Sequence, residues 1–282
     1  MPDDNSKLRM FAFLCRRMPY TVVPYEEERS VAEDAVADRP GAEEIPFLEG
    51  PRSRSFELLR ALRIFRELIR GFRALHFVGP CVTVFGSARF GEGHPAYEMG
   101  RLVGRNIARA GFTVMTGGGP GVMEAANRGA KEVGGASIGC NIELPREQLR
   151  NPYLDRSVTF RYFMVRKLML VKYSYAFIAL PGGFGTLDEL FEVATLVETG
   201  KVRDYPIVLM GVDYWGPLVA QLRDVSAAGA IDAGDLRYLT LTDSPEEAAT
   251  LVRDVGLRRF GLSYAPRPRR LLGERRLAPH GP

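Results

Sequence analysis

At 282 residues and 31.3 kDa, 46% hydrophobic and 26% charged, the chain has the composition of an ordinary globular domain with enough length for a sizeable core. Its three cysteines, Cys15, Cys81 and Cys140, are too few and too scattered for a disulfide framework or a C-x-x-C metal site, which argues against zinc and for a reducing compartment. The net charge of +4 resides in the tail, where residues 258–282 carry seven Arg against Glu274; the remainder is −2, so a dedicated nucleic-acid-binding body is not expected.

No apolar run is long enough to span a bilayer, and the N-terminus lacks a charged-apolar-small signal pattern, so neither insertion nor export is indicated and a cytoplasmic protein is expected. Residues 1–50 read as a flexible acidic segment, with nine acids between 24 and 50 against Arg29 and Arg39, interrupted by Pro24, Pro40 and Pro46. Residues 51–77 form an amphipathic helical extension: Leu58, Leu62, Phe65, Ile69 and Phe72 recur at steps of four and three among Arg63, Arg66, Arg70 and Arg73. That apolar stripe is expected to pack on the neighbouring domain or on a second copy of the chain rather than on a membrane.

From 78 to 256 short β-branched or aromatic runs alternate with helical stretches, predicting an α/β domain with a doubly wound, Rossmann-like parallel sheet. Six strands are expected, at 82–86, 113–116, 136–142, 176–180, 207–211 and 238–241, with helices near 96–110, 121–133, 160–173, 186–199, 215–228 and 245–255. The tail 257–282 is basic, Pro-interrupted and aperiodic, and reads as disordered.

Open α/β sheets bind ligands at the carboxyl ends of their strands, and three of those positions are glycine-rich. The first is Phe85-Gly86-Ser87-Ala88-Arg89, where Gly86 admits a ligand to the backbone and Ser87 offers a hydroxyl. The second, Thr116-Gly117-Gly118-Gly119-Pro120-Gly121 running on to Glu124, joins a strand to a helix whose first turn suits Pro120. The third, Pro181-Gly182-Gly183-Phe184-Gly185-Thr186-Leu187-Asp188-Glu189, is again strand, glycine loop, helix. Such junctions aim unpaired N–H groups and the positive end of a helix at an anion. Two of them on one sheet can enclose a phosphorylated ligand from both sides. Neither loop has the spacing of a triphosphate-binding loop, and no lysine lies in either.

Two alternatives stay open on spacing alone. Thr186-x-x-Glu189 is also a capping box, in which Glu189 would merely satisfy its own helix start. Glu143 sits where a dinucleotide fold places its ribose-binding acid, which keeps an NAD(P)-dependent oxidoreductase in play. On the helix before the third loop, Arg166 and Lys167 are adjacent and diverge by about 100°, so at most one of them faces a ligand squarely.

Taken together, GGGPGVMEAANRGA, FRYFMVRKLML and PGGFGTLDELFE resemble the LOG family, the cytokinin riboside 5′-monophosphate phosphoribohydrolases formerly labelled lysine decarboxylases, over about Val82 to Val255. The resemblance implies hydrolysis of the N-glycosidic bond of a nucleoside 5′-monophosphate, AMP or N6-substituted AMP, to a free base and ribose 5-phosphate, by a homodimer or higher oligomer that needs neither cofactor nor metal. It implies Arg166 and Glu189 as the catalytic pair. It gives binding roles to Gly118, Gly119, Gly121, Gly182, Gly183, Gly185 and Thr186, and the set of expected substrate contacts is completed by Gly86, Ser87, Thr116, Gly117, Glu124, Lys167 and Pro181. A non-hydrolytic nucleotide-binding regulator using the same loops is the second reading. Lysine decarboxylation fails on chemistry, since Lys167 and Lys172 share one helix with no context for a pyridoxal Schiff base.

Overall fold

The computed structural model describes residues 44–144, 151–203 and 205–260, with no side-chain description for 257–260. The elements run α1 (Ile45–Leu48), α2 (Arg54–Leu75), β1 (Cys81–Phe85), α3 (Pro95–Arg109), β2 (Thr113–Thr116), α4 (Val122–Lys131), β3 (Ser137–Ile142) and β4 (Arg156–Phe160). They continue with α5 (Phe163–Lys172), β5 (Ser174–Ala179), α6 (Phe184–Glu198), β6 (Ile207–Met210), α7 (Val212–Ala227), a 3-10 turn at Asp235–Tyr238, β7 (Leu239–Thr242) and α8 (Pro245–Phe260).

The seven strands form one parallel sheet in the order β4-β3-β2-β1-β5-β6-β7. The chain therefore starts at the centre, builds outward to β4, then crosses back to lay β5 on the other side of β1. The reversal opens a crevice beyond the carboxyl ends of β1 and β5, where an open α/β sheet takes its ligands. Pairing continues past the strands there: Leu180 N–H donates to the Phe85 carbonyl at 2.9 Å, and Ser87 N–H to that of Pro181 at 3.1 Å.

Side-chain alternation assigns the two faces. Along β1, Cys81 and Phe85 join a core with Met115, Phe160, Met169, Phe177, Leu190 and Trp215, under α2, α5, α6 and α7. Val82 and Val84 join the opposite core with Val103, Ile107, Val114, Ile178, Val208 and Val252, under α3, α4 and α8. No helix among the described residues is long and apolar enough to cross a membrane.

The sheet has one strand more than the sequence pattern foretells. β4 reads Arg156-Ser-Val-Thr-Phe160 with only Val158 and Phe160 buried, the half-exposed alternation of an edge strand rather than the continuous apolar run of an interior one. Three further expectations need correction. α6 begins at Phe184 with Gly183 as its N-cap, two residues earlier than expected. α4 begins at Val122 after Gly121, so Pro120 precedes the helix instead of opening it. On α2, of the two expected places for the apolar stripe the neighbouring domain takes only Phe72: Leu58, Leu62, Phe65 and Ile69 are 62, 52, 60 and 41% exposed, and the face turned to the domain carries Ile64, Glu67, Leu68, Gly71 and Leu75. The predicted tail lies outside the described residues from 261 onward, as does most of the acidic segment.

Candidate active site

The crevice is a cavity of about 740 Å³. Its walls come from the loop after β1 (Gly86 to Phe90), from Gly117 and Met123 of the second glycine loop, from Gly182 to Leu187 and Glu189 of the third, and from Arg166 and Tyr214. Ser87 ties the three loops together through its main chain, giving its N–H to Pro181 and taking the Val122 N–H on its carbonyl at 2.9 Å. That approach requires glycine at 121: its φ is +72°, and a Cβ there would lie 2.5 Å from the Ser87 oxygen.

Arg166 and Glu189 meet at the inner end of the cavity. Arg166 Nη1 stands 3.4 Å from Glu189 Oε1, both side chains largely buried, and Arg166 Nε donates to the Cys140 carbonyl at 2.8 Å. One edge of the guanidinium stands over Gly117, where a Cβ would come within 2.3 Å of Nη2. Glu189 is the sixth residue of α6, not a cap partner of Thr186, which removes the capping-box alternative. Its second oxygen, Oε2, is buried with no hydrogen-bond partner. Burial pushes the Glu189 carboxyl up to about 7, against the lowering influence of Arg166. Lys167 turns the other way, bonding Asp188 at 3.0 Å and Glu192 at 2.9 Å, and so braces α5 against α6 beside the pair.

Not every predicted contact faces the cavity. Gly118 packs on Asn141, Gly121 on Ser87 and Ala88, and Glu124 accepts from the Tyr97 hydroxyl at 3.0 Å toward α3. Glu143 pairs with Arg161 at 3.2 Å and does not line the crevice. Conversely, Phe90, Met123, Phe184, Leu187 and Tyr214 form walls that the sequence reading did not single out. Tyr214 donates to the Gly182 carbonyl at 2.7 Å, and its place just beyond the carboxyl end of β6 was the available signal.

Behind the second loop lies a buried polar relay. Asn127, fully buried, accepts from Thr116 Oγ1 at 2.7 Å and from Asn151 Nδ2 at 2.9 Å, and donates to Ser137 Oγ at 2.7 Å. Thr116 Oγ1 in turn accepts the Gly118 N–H at 2.9 Å, fixing the loop. Asn127→Ala strands several buried groups at once and is expected to lower stability by about 2 kcal/mol or more, read by thermal denaturation. A loss below about 0.5 kcal/mol, the range of ordinary surface substitutions, would mean that the relay does not hold the loop.

Residues 123–252 match the family described as "Possible lysine decarboxylase". Over 156 residues the chain is 34% identical to the cytokinin riboside 5′-monophosphate phosphoribohydrolase of Mycobacterium tuberculosis, covering 54% of this chain and 82% of that protein. The protein of the same name from Mycobacterium marinum is 33% identical over 161 residues, covering 55% and 84%. The chain belongs to the LOG family. A LOG relative from Oryza sativa subsp. japonica, "Probable cytokinin riboside 5′-monophosphate phosphoribohydrolase LOGL2", is 33% identical over 156 residues, and there the chain spans 62% of the relative's length. Among solved structures, the molybdenum cofactor carrier protein of Chlamydomonas reinhardtii superposes with a TM-score of 0.46 at 26% identity, covering 63% of this chain and 98% of that one.

The lysine decarboxylase wording does not suit this LOG chain. Decarboxylation through pyridoxal needs a Schiff-base lysine, and among the described residues no lysine lines the crevice. Among the described residues no three His, Cys, Asp or Glu side chains gather as a metal site.

Proposed function

We propose that this LOG chain hydrolyses the N-glycosidic bond of a nucleoside 5′-monophosphate, with AMP or an N6-substituted AMP as substrate, releasing the base and ribose 5-phosphate. The observation that carries the reading is the buried Glu189 carboxyl, held by Arg166 at the end of a glycine-walled crevice with one oxygen unpartnered. In this reading the phosphate sits at the start of α6, on main-chain amides near Gly183 and Gly185 and the Thr186 hydroxyl, where the helix end favours an anion.

That placement sets the sugar toward Glu189. As the C1′–N bond lengthens, positive charge builds on the ribose, and an ionised carboxylate beside C1′ stabilises it. The same carboxylate takes a proton from the attacking water, whose oxygen bonds to C1′; the base departs with the bonding pair and takes up that proton, which returns Glu189 to its ionised form. Arg166, anchored by the Cys140 carbonyl, keeps Glu189 oriented and favours its charged form. The aromatic and thioether side chains of Phe90, Met123 and Tyr214 offer an apolar wall for a flat base.

The test is incubation of the purified full-length chain with AMP and with an N6-substituted AMP, followed by chromatography. Free base and ribose 5-phosphate should appear in equal amounts. Tight nucleotide binding without product would instead make the protein a nucleotide-binding regulator, and a fluorescence response to NADH with no base released would revive the oxidoreductase reading.

A further inference from the structure

The third glycine loop is held from two sides through its carbonyls. Ser87 N–H donates to the Pro181 carbonyl at 3.1 Å from the loop after β1, and the Tyr214 hydroxyl donates to the Gly182 carbonyl at 2.7 Å from α7. The next carbonyl, that of Gly183, accepts the N–H groups of Thr186 and Leu187 at 2.9 and 3.0 Å and closes the first turn of α6. Three consecutive carbonyls are thus engaged. The amides are not: the N–H groups of Gly183, Phe184 and Gly185, exposed residues that line the crevice, have no acceptor among the described residues.

The glycines themselves do not set the direction of the first of these amides. A trans peptide carries its C=O and its N–H on opposite sides, so turning over the peptide that joins residues 182 and 183 would put an oxygen where the Gly183 N–H now stands. Glycine flanks that peptide on both sides, the combination least able to resist such a flip. The bond from Tyr214 opposes it by fixing the Gly182 oxygen. Tyr214 is the third residue of α7 and is itself well anchored. Trp215, 1% exposed, meets its ring edge-on with centroids 4.9 Å apart, and the start of α7 packs on Pro181, whose Cγ lies 3.3 Å from the place of a Cβ on Gly211.

We propose that Tyr214 is a positioning residue for the phosphate end of the nucleotide, acting through the 182–183 peptide; this rests on the reading that the phosphate sits at the start of α6. With the Gly182 oxygen bonded to Tyr214, the peptide offers the anion a donor instead of a repelling acceptor. The Gly183 N–H then joins those of Phe184 and Gly185 at the positive end of the helix. The ring of Tyr214 walls the crevice, and its hydroxyl sets the loop.

The affinities of AMP and of adenosine, measured calorimetrically on the full-length chain and on Tyr214→Phe, test this. Phenylalanine keeps the ring, and the ratio of the two affinities isolates the phosphate end. In the variant AMP should bind about tenfold more weakly while adenosine binds as before, the loss expected for one charge-assisted contact in a preorganised cradle. Inorganic phosphate, a probe with neither sugar nor base, should weaken by a similar factor. An unchanged AMP affinity, a parallel loss of AMP and adenosine such as a general loosening of α7 would cause, or a wild type that binds AMP no better than adenosine would each overturn the proposal. The readout does not depend on turnover. A fallen ratio in a chain that releases no base keeps the role of Tyr214 and sinks the hydrolase reading, whereas base release from AMP with an unmoved ratio does the reverse.

Discussion

Glu189→Gln is expected to lower turnover of a nucleoside 5′-monophosphate by at least about 100-fold while leaving KM little changed, since removing one preorganised electrostatic group from a reacting centre ordinarily costs that much. The substitution keeps the size of the side chain and a hydrogen-bond acceptor for Arg166, so the crevice retains its shape. What it removes is the negative charge and the basic oxygen, and Oε2 is the oxygen with no other employment in the fold. A variant with wild-type turnover would show that Glu189 does not act on the sugar.

The same residue sets two pH dependences of opposite sign. In the proposed reaction the ionised form is the working one, so activity should climb with pH through about 7, where burial places the Glu189 carboxyl, and then level off. Arg166→Ala removes a lowering influence, so whatever activity remains should show that rise displaced to higher pH. Stability runs the other way. The folded pKa lies above the ordinary carboxylate value of 4.5, so the folded state holds this proton more tightly than the unfolded chain. Its contribution is fully present below 4.5 and is lost as pH rises through about 7. Glu189→Gln should therefore melt higher than wild type at about pH 8, with the advantage shrinking as the buffer approaches about pH 5. A helix-capping glutamate would give the reverse, a less stable variant at neutral pH.

The parts of this molecule that could be read beforehand are those whose physics is local. Strand–glycine–helix junctions announce themselves in Phe85 to Arg89, Thr116 to Gly121 and Pro181 to Thr186, because a sharp turn, a close backbone approach and a helix start each demand particular residues. β2 falls where the pattern put it, at Thr113–Thr116. What escaped depends on tertiary placement. β4 carries too few apolar residues to be seen without the neighbour β3 that it pairs with. Whether Arg166 or Lys167 faces the crevice depends on the rotation of α5, which is set by Val165 and Met169 in the core and by the acids of α6. The exposed stripe of α2 shows the same limit: periodicity identifies the helix, but Gly71 pressed on Met169 and the buried Glu67 select the face it turns inward.

The crossing of α3 and α4, which places the second glycine loop, was equally invisible, and it yields the largest expected loss of stability. Gly129→Ala should lower it by about 3 kcal/mol, at the upper end of overpacking costs. An alanine Cβ at 129 would lie 1.8 Å from the Arg101 carbonyl oxygen, and one at Gly104 would lie 1.9 Å from that of Ala126; the two helices meet backbone to backbone. Intrinsic propensity pulls the other way, since alanine gains about 1 kcal/mol over glycine inside a helix. The clash prevails because the obstructing atoms are main chain and cannot rotate aside. Nor can α4 slide: Glu132 beyond its end is gripped by Arg101 and Arg105 of α3, each at 2.6 Å. At about 2–4 °C per kcal/mol for a domain of this size, the melting temperature should fall by roughly 6–12 °C. Gly185→Ala is the matched control, because a Cβ there meets nothing within 4 Å. If Gly129→Ala melts no lower than that control, the close approach of α3 and α4 is not what fixes the loop above the crevice.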